Sequence, residues 1–269
     1  MWLEYFSQYM ETAFPRFLSE RPWNYKNDLC VTGAAMLADA TGSPRWNRYI
    51  LDAAKWLVDE EGRVANWKED EHNIDKVSFG KSLRILRDLT GDGRYGRGVE
   101  RAYAFLEHYP RTSTGNFWHK DIYPDQVWLD GLLQYQDRES QMFLQVVDHA
   151  GLPGNYPETS GSAMAAYALM KGVRLGMLDG SYWDKGSEVL EGIRRTWLKK
   201  EEDGWHLHGI CASAGLGAGP DPHNRKDRNG TPEYYISEAQ MPDNQHGAAA
   251  CMMAVSEQLR RKGNQPCSN

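Results

Sequence analysis

The sequence predicts an all-α fold made of repeated αα-hairpins, either a helical solenoid or a closed α/α toroid. Three observations lead there. A turn motif recurs: Ala40-Thr-Gly-Ser-Pro-Arg-Trp46 matches Leu89-Thr-Gly-Asp-Gly-Arg-Tyr95 at a separation of 49 positions, and Leu178-Asp-Gly-Ser-Tyr182 is a looser third copy. In each copy a glycine closes one helix and an aromatic near the start of the next can pack back on the first. Apolar residues elsewhere recur at spacings of three and four, whereas alternating patterns are confined to pieces such as Phe143–Val147 and Gly204–His208. A period near 50 residues with helix pairs is the mark of a helical repeat.

Taken in order, residues 2–19 read as one amphipathic helix ending before Glu20-Arg-Pro22. A second helix runs through Leu29, Ala34, Leu37 and Ala38 to Thr41-Gly42, and a third follows Trp46. Further helices are expected near 73–90, 94–109, 125–137, 158–177, 182–199 and 243–262, which makes about nine. Segment 200–240 reads as mostly loop, because Gly215, Gly217, Gly219, Pro220, Pro222 and Gly230 interrupt it. Residues 263–269 read as a frayed tail.

The 269 residues, 41% of them hydrophobic, suffice for one large domain with a substantial core, or at most two small ones. A net charge of −6 with no basic run argues against a nucleic-acid surface. Cys30, Cys211, Cys251 and Cys267 lack any C-x-x-C spacing, so neither a disulfide framework nor a zinc site is indicated and a cytoplasmic protein is expected. The start Met-Trp-Leu-Glu-Tyr-Phe lacks the basic and apolar regions of a secretory signal, and no run is long and apolar enough for a membrane span.

The stretch from Thr114 to Leu132 carries the most chemistry. Pro124 suits the first turn of a helix, and Asp130 then falls among Val127, Trp128, Leu129, Leu132 and Leu133. An acid in such company is desolvated and holds its proton towards neutral pH, as a general acid must. Phe117-Trp118-His119-Lys120 before it offers rings, an imidazole and an ammonium, a set suited to an anionic sugar. A companion carboxylate is Asp75, for which an ordinary first-turn acid favoured by the helix dipole is the plainer reading of the sequence alone. His119 as a core histidine and Lys120 as a surface charge are the plainer readings of composition. His206 and His208 share a strand face without a third ligand at metal spacing. Asn155-Tyr-Pro-Glu-Thr-Ser160 reads as the lead-in and cap of a helix.

Together these blocks resemble the unsaturated rhamnogalacturonyl hydrolases, glycoside hydrolase family 105. The matching pieces are Asn73-Ile-Asp75, Phe117-Trp-His-Lys-x-x-Tyr-Pro-x-Gln-x-Trp-Leu-Asp-Gly-Leu132, Asn155-Tyr-x-Glu-Thr-Ser160, Tyr167-Ala-Leu-x-Lys-Gly172 and Asp227-Arg-Asn-Gly-Thr-x-Glu-Tyr-Tyr235. The resemblance implies an (α/α)6 toroid and a small unsaturated uronyl oligosaccharide as substrate. It implies Asp130 as the general acid and Asp75 as the second acid. His119, Lys120, Trp118 and Trp128 would line the sugar site, with Trp23 and Tyr25 in an N-terminal binding segment. No metal or organic cofactor is implied.

The sequence departs from the family pattern after Leu132. About three helices, with a Trp-Gly-Arg-x-x-Gly-Trp block and a further histidine, normally follow there. Here Leu133-Gln-Tyr-Gln-Asp137 and Phe143–Val147 resemble the far side of that segment. The expectation is a single domain over 1–269, shortened internally near 132–138, with an incomplete ring. An open ring would expose an apolar helix flank, for which a homo-oligomer is one cover. A catalytically inactive sugar-binding relative and an unsaturated glucuronyl hydrolase are the alternative readings.

Overall fold

The structure is a computed structural model and describes residues 1–20, 23–54, 57–65, 67–68, 77–109, 132–215 and 228–264. Two compact units divide the chain, Met10–Leu129 and a second formed by Met1–Tyr9 with Asp130–Asn269. Ten α-helices lie among the described residues. The first expected helix is two: α1 (Trp2–Glu11) and α2 (Ala13–Glu20). Pro15 is the reason, since it has no N–H to offer the Glu11 carbonyl four residues back and its ring crowds that carbonyl.

Within Met10–Leu129, α3 (Tyr25–Thr41) pairs with α4 (Arg45–Ala54), and α5 (Phe79–Thr90) pairs with α6 (Gly93–Glu107). Both turns are built alike, as the repeat requires. Gly42 and Gly91 take left-handed φ values of 64° and 71° at the helix ends, a conformation that costs glycine nothing. The preceding threonine turns back in each: Thr41 Oγ1 donates to the Leu37 carbonyl at 2.6 Å and Thr90 Oγ1 to that of Leu86 at 2.7 Å. The aromatics then fold inward, with Trp46 and Tyr95 buried; Leu37, Ile50, Leu83 and Leu86 are buried too.

In the other unit α7 (Thr159–Arg174), α8 (Ser181–Trp197) and α10 (Gln245–Asn264) pack together. The third copy of the turn is displaced from its expected position. Gly176, at φ 71°, is the left-handed residue after α7, while Gly180 keeps a right-handed φ of −56° ahead of α8. The buried aromatic is Trp183, one position beyond Tyr182. At Gly186 the α8 backbone comes so close to α7 that an added Cβ would stand 2.9 Å from the Ala166 carbonyl oxygen. Small buried residues on both α7 and α10, among them Ala163, Ala166, Ala249 and Ala250, belong to the same close-packed core. Glu257 is fully buried on α10, held by Arg174 at 2.9 Å and Arg260 at 3.1 Å.

Strand content is one antiparallel pair among the described residues, β1 (Leu198–Glu201) with β2 (Gly204–Leu207). The expected strand at Phe143–Val147 is reduced to a single bridge between Leu144 and Pro157. A six-residue helix, α9 (Pro232–Ser237), stands in the segment read as loop; Thr231 caps it by accepting from the Tyr234 amide at 3.2 Å. Of the helix expected at 125–137, residues 132–135 form a short 3-10 helix and the earlier part lies outside the described residues.

Candidate functional site

Trp23 and Tyr25 are the two expected site residues that the structure describes, at the start of α3. Asp130, Asp75, His119, Lys120, Trp118 and Trp128 lie outside the described residues. Asn24 caps α3 by accepting from the Lys26 amide at 2.9 Å, which sets the first turn beside Trp23. One turn on, Asp28 points into the interior with 2% of its surface exposed.

Three donors converge on the Asp28 carboxylate. Trp23 Nε1 donates to Oδ1 at 3.0 Å, Ser82 Oγ to the same oxygen at 2.5 Å, and Ser78 Oγ to Oδ2 at 2.5 Å. Ser78 holds the N-cap position of α5 yet makes no side-chain cap, because its hydroxyl is committed to Asp28. Burial pushes the carboxyl up to about 6, against the bonds from Ser78, Ser82 and Trp23 and the more distant charge of Lys81.

The consequence for stability has a definite sign. Between the ordinary carboxyl value and about 6, the native chain keeps a proton that the unfolded chain has released, so stability falls as pH rises through that window. Comparing urea unfolding of wild type and Asp28→Asn from pH 4 to 7 isolates this group. The variant is expected to gain about 2 kcal/mol relative to wild type over that range, and parallel curves would show that Asp28 does not titrate there.

Sequence reasoning passed over Asp28, although the signal that singles out Asp130 is present here as well. Asn27-Asp-Leu-Cys-Val31 is also an acid at the edge of an apolar run.

The other unit has a separate buried polar cluster at the N-terminus of α7. Glu158 accepts from the Gly161 amide at 2.6 Å, Ser160 Oγ at 2.8 Å and the Cys211 amide at 3.1 Å. Thr159 Oγ1 donates to the His208 carbonyl at 2.7 Å, so the block Asn155–Ser160 caps α7 as expected and ties it to the segment after β2. Burial raises Glu158, and it pushes the Cys211 thiol up to about 11, which leaves that cysteine protonated and a poor nucleophile. Arg228 and Glu238, both buried, face each other at 3.5 Å, and Tyr234 donates to Glu238 at 2.5 Å. These groups join the chain around α9 and offer no exposed acid.

His206 has more carboxylate company than its spacing from His208 suggested. Ligand-type atoms of Glu201, Asp203 and His206 lie within 4.8 Å of one another. Both ring nitrogens are engaged, however: Nδ1 by Asp243 at 2.6 Å and Nε2 by Asp203 at 3.0 Å. Burial opposes the charged ring, but the two carboxylates outweigh it and raise its pKa, so the cluster is accounted for by its own ion pairs.

Comparison with known proteins follows the same outline. The model of Glycosyl Hydrolase Family 88 matches residues 3–133 and 131–262. Protein Atu3128 of Agrobacterium fabrum is 39% identical over 136 residues, 49% of this chain and 56% of that protein, so the chain spans about half the length of the curated relatives it matches. A family 105 glycoside hydrolase from C. acetobutylicum superposes with a TM-score of 0.82 at 23% identity, over 94% of this chain and 99% of that one. A possible family 105 member from Klebsiella pneumoniae gives 0.66 at 15% identity, over 89% and 83%. The fold is the one these structures share, in the (α/α)6-toroid class that the hairpin repeat and the motif blocks led us to expect. No described helix is long and apolar enough to cross a membrane. On the family match, which runs through nearly the whole chain, this protein belongs to Glycosyl Hydrolase Family 88, in the company of the unsaturated rhamnogalacturonyl hydrolases of family 105.

Proposed function

We propose that the chain is a hydrolase that removes a 4,5-unsaturated galacturonyl residue from rhamnose-containing pectin fragments. The observation that carries this reading is the Phe117–Leu132 block, with Asp130 in its apolar setting, on a chain whose family match extends from residue 3 to 262. Asp130 protonates C4 of the enol ether, positive charge builds at C5, and water adds there. The resulting hemiketal opens and releases the rhamnose-bearing aglycone. Asp75 positions the ring hydroxyls and the water. His119 and Lys120 meet the uronate, and Trp118, Trp128, Trp23 and Tyr25 supply ring faces. No cofactor takes part in this scheme.

The proposal includes a single domain over 1–269, shortened near 132–138. That the family model matches in two stretches meeting at 131–133 supports the shortening. Cytoplasmic residence belongs to the same reading, supported by Cys30, Cys211 and Cys251, all buried and free of disulfides.

Incubation with unsaturated galacturonyl-rhamnose is expected to abolish the ultraviolet absorbance of the conjugated double bond. A sample with a native far-ultraviolet circular dichroism spectrum but no turnover would sink the proposal and leave a sugar-binding relative as the reading. Preferential turnover of unsaturated glucuronyl disaccharides would reassign the substrate.

A further inference from the structure

We propose that the groove between α5 and α6 is a binding site for an anionic sugar, with the Tyr103 ring stacking on a sugar face and Lys81 and Arg84 meeting its carboxylates. The carbohydrate follows from membership of a glycosyl hydrolase family, and the anionic character from the two cations. The site stands whether or not the chain hydrolyses the substrate assigned above.

Spacing along two helices builds the groove. Val77, just ahead of α5, is followed at helical spacing by Lys81 and Arg84 on one face. On α6, Val99, Ala102, Tyr103 and Leu106 fall at i, i+3, i+4 and i+7 and line the opposite wall. The helices come close at small residues, where a Cβ added to Gly80 would stand 3.4 Å from that of Ala102. Val77, Val99 and Ala102 are buried and give the groove an apolar floor. Its rim differs: Lys81 and Arg84 are exposed, and Tyr103 is 65% exposed. The space between is about 470 Å³, within the range of roughly 300–1,000 Å³ usual for small-ligand clefts.

The rim groups are uncommitted. Lys81, Arg84 and Tyr103 make no hydrogen bond or ion pair among the described residues. On the same hairpin Arg87 is tied to Asp88 at 2.7 Å and Arg94 to Asp92 at 2.8 Å. No carboxylate lines the groove. The Asp28 carboxyl that feels the Lys81 charge is buried and already bonded to Ser78, Ser82 and Trp23, which leaves the ammonium open to a ligand. Residues 79–107 carry six Lys and Arg against four Asp and Glu, in a chain of net charge −6. A merely solvated cationic face needs neither an apolar floor nor an exposed ring. A uronate-bearing sugar matches all three features, because its C–H face packs on an aromatic ring and its carboxylate pairs with a guanidinium through two bonds. A second copy of this chain matches less well, since the rim offers one ring and two charges where a subunit interface needs a broad apolar patch.

Calorimetric titration with saturated digalacturonate, which lacks the double bond that the proposed hydrolysis consumes, reads binding apart from turnover. Wild type is expected to bind it, and to bind neutral maltose at least about tenfold more weakly. Arg84→Gln and Tyr103→Ala should each weaken digalacturonate about three- to tenfold. Added salt should weaken wild type more than the Lys81→Gln/Arg84→Gln double variant. All three side chains are exposed, so each variant is expected to keep the wild-type circular dichroism spectrum. Undiminished binding in either single variant, or no binding by wild type, overturns the proposal, and so does equal affinity for maltose. If wild type self-associates in sedimentation and Tyr103→Ala abolishes it, the groove belongs to a second copy and the proposal falls. Binding that follows the expected pattern in a chain that leaves unsaturated galacturonyl-rhamnose intact sustains this site while the hydrolase reading fails.

Discussion

Asp130→Asn is expected to lower turnover of unsaturated galacturonyl-rhamnose by about 10²–10⁴-fold, the usual contribution of a general acid, while the protein stays folded. Asparagine matches the size of aspartate but has no proton to give. Hydration of an enol ether begins with protonation at carbon, so loss of the donor affects the first step rather than binding. KM should therefore stay close to wild type while kcat falls. The rate is read from the decay of the double-bond absorbance, and folding from thermal denaturation of the same sample. Activity within tenfold of wild type would move the role elsewhere, with Asp75 next in line.

Trp46→Ala is expected to cost the unit Met10–Leu129 about 3–5 kcal/mol, the range for emptying a buried tryptophan site. The indole is fully buried, its Nε1 donates to Thr41 Oγ1 at 3.2 Å, and Tyr49 meets its ring edge-on at 5.9 Å. The Arg45 guanidinium lies 4.4 Å from its ring centroid. Removing the ring thus empties a core site and frees the threonine that closes the α3–α4 turn. Urea unfolding followed by circular dichroism measures the loss. A cost below about 1 kcal/mol would mean that the neighbouring helices close over the gap.

The hairpins were legible in the sequence because their information is local. A glycine that must turn left-handed, a threonine that bonds back one turn and an aromatic that folds inward lie within six residues of one another at Thr41–Trp46 and Thr90–Tyr95. The third copy kept the residue types but moved the left-handed glycine to Gly176, so the motif pointed to the right loop and the wrong glycine. The break between α1 and α2 was signalled by Pro15 but masked by an apolar pattern that runs across it. β1 is nearly invisible in the sequence: Leu198-Lys-Lys-Glu201 owes its extended form to pairing with β2. α9 is shorter than a two-turn window and rests on its Thr231 cap and Pro232.

The site divides along similar lines. Asp130 and Asp75, which lie outside the described residues, were proposed from an acid in an apolar run and from motif resemblance, both readable from neighbours in the chain. The Asp28 cluster was not found, because its donors Ser78 and Ser82 lie 50 and 54 positions away and only the fold brings them together.

The close approach of α8 to α7 at Gly186 has a consequence for how far this sequence can drift. A tryptophan pocket such as that of Trp46 can in principle be refilled by another large ring, because neighbouring side chains have rotamers to spare. At Gly186 the obstacle is the Ala166 carbonyl, which has no rotamer to change. Even a single methyl group there must be met by a shift of the α7 backbone. Variation in α7 and α8 should therefore be steeply uneven, free on the outer faces and almost confined to glycine at this crossing.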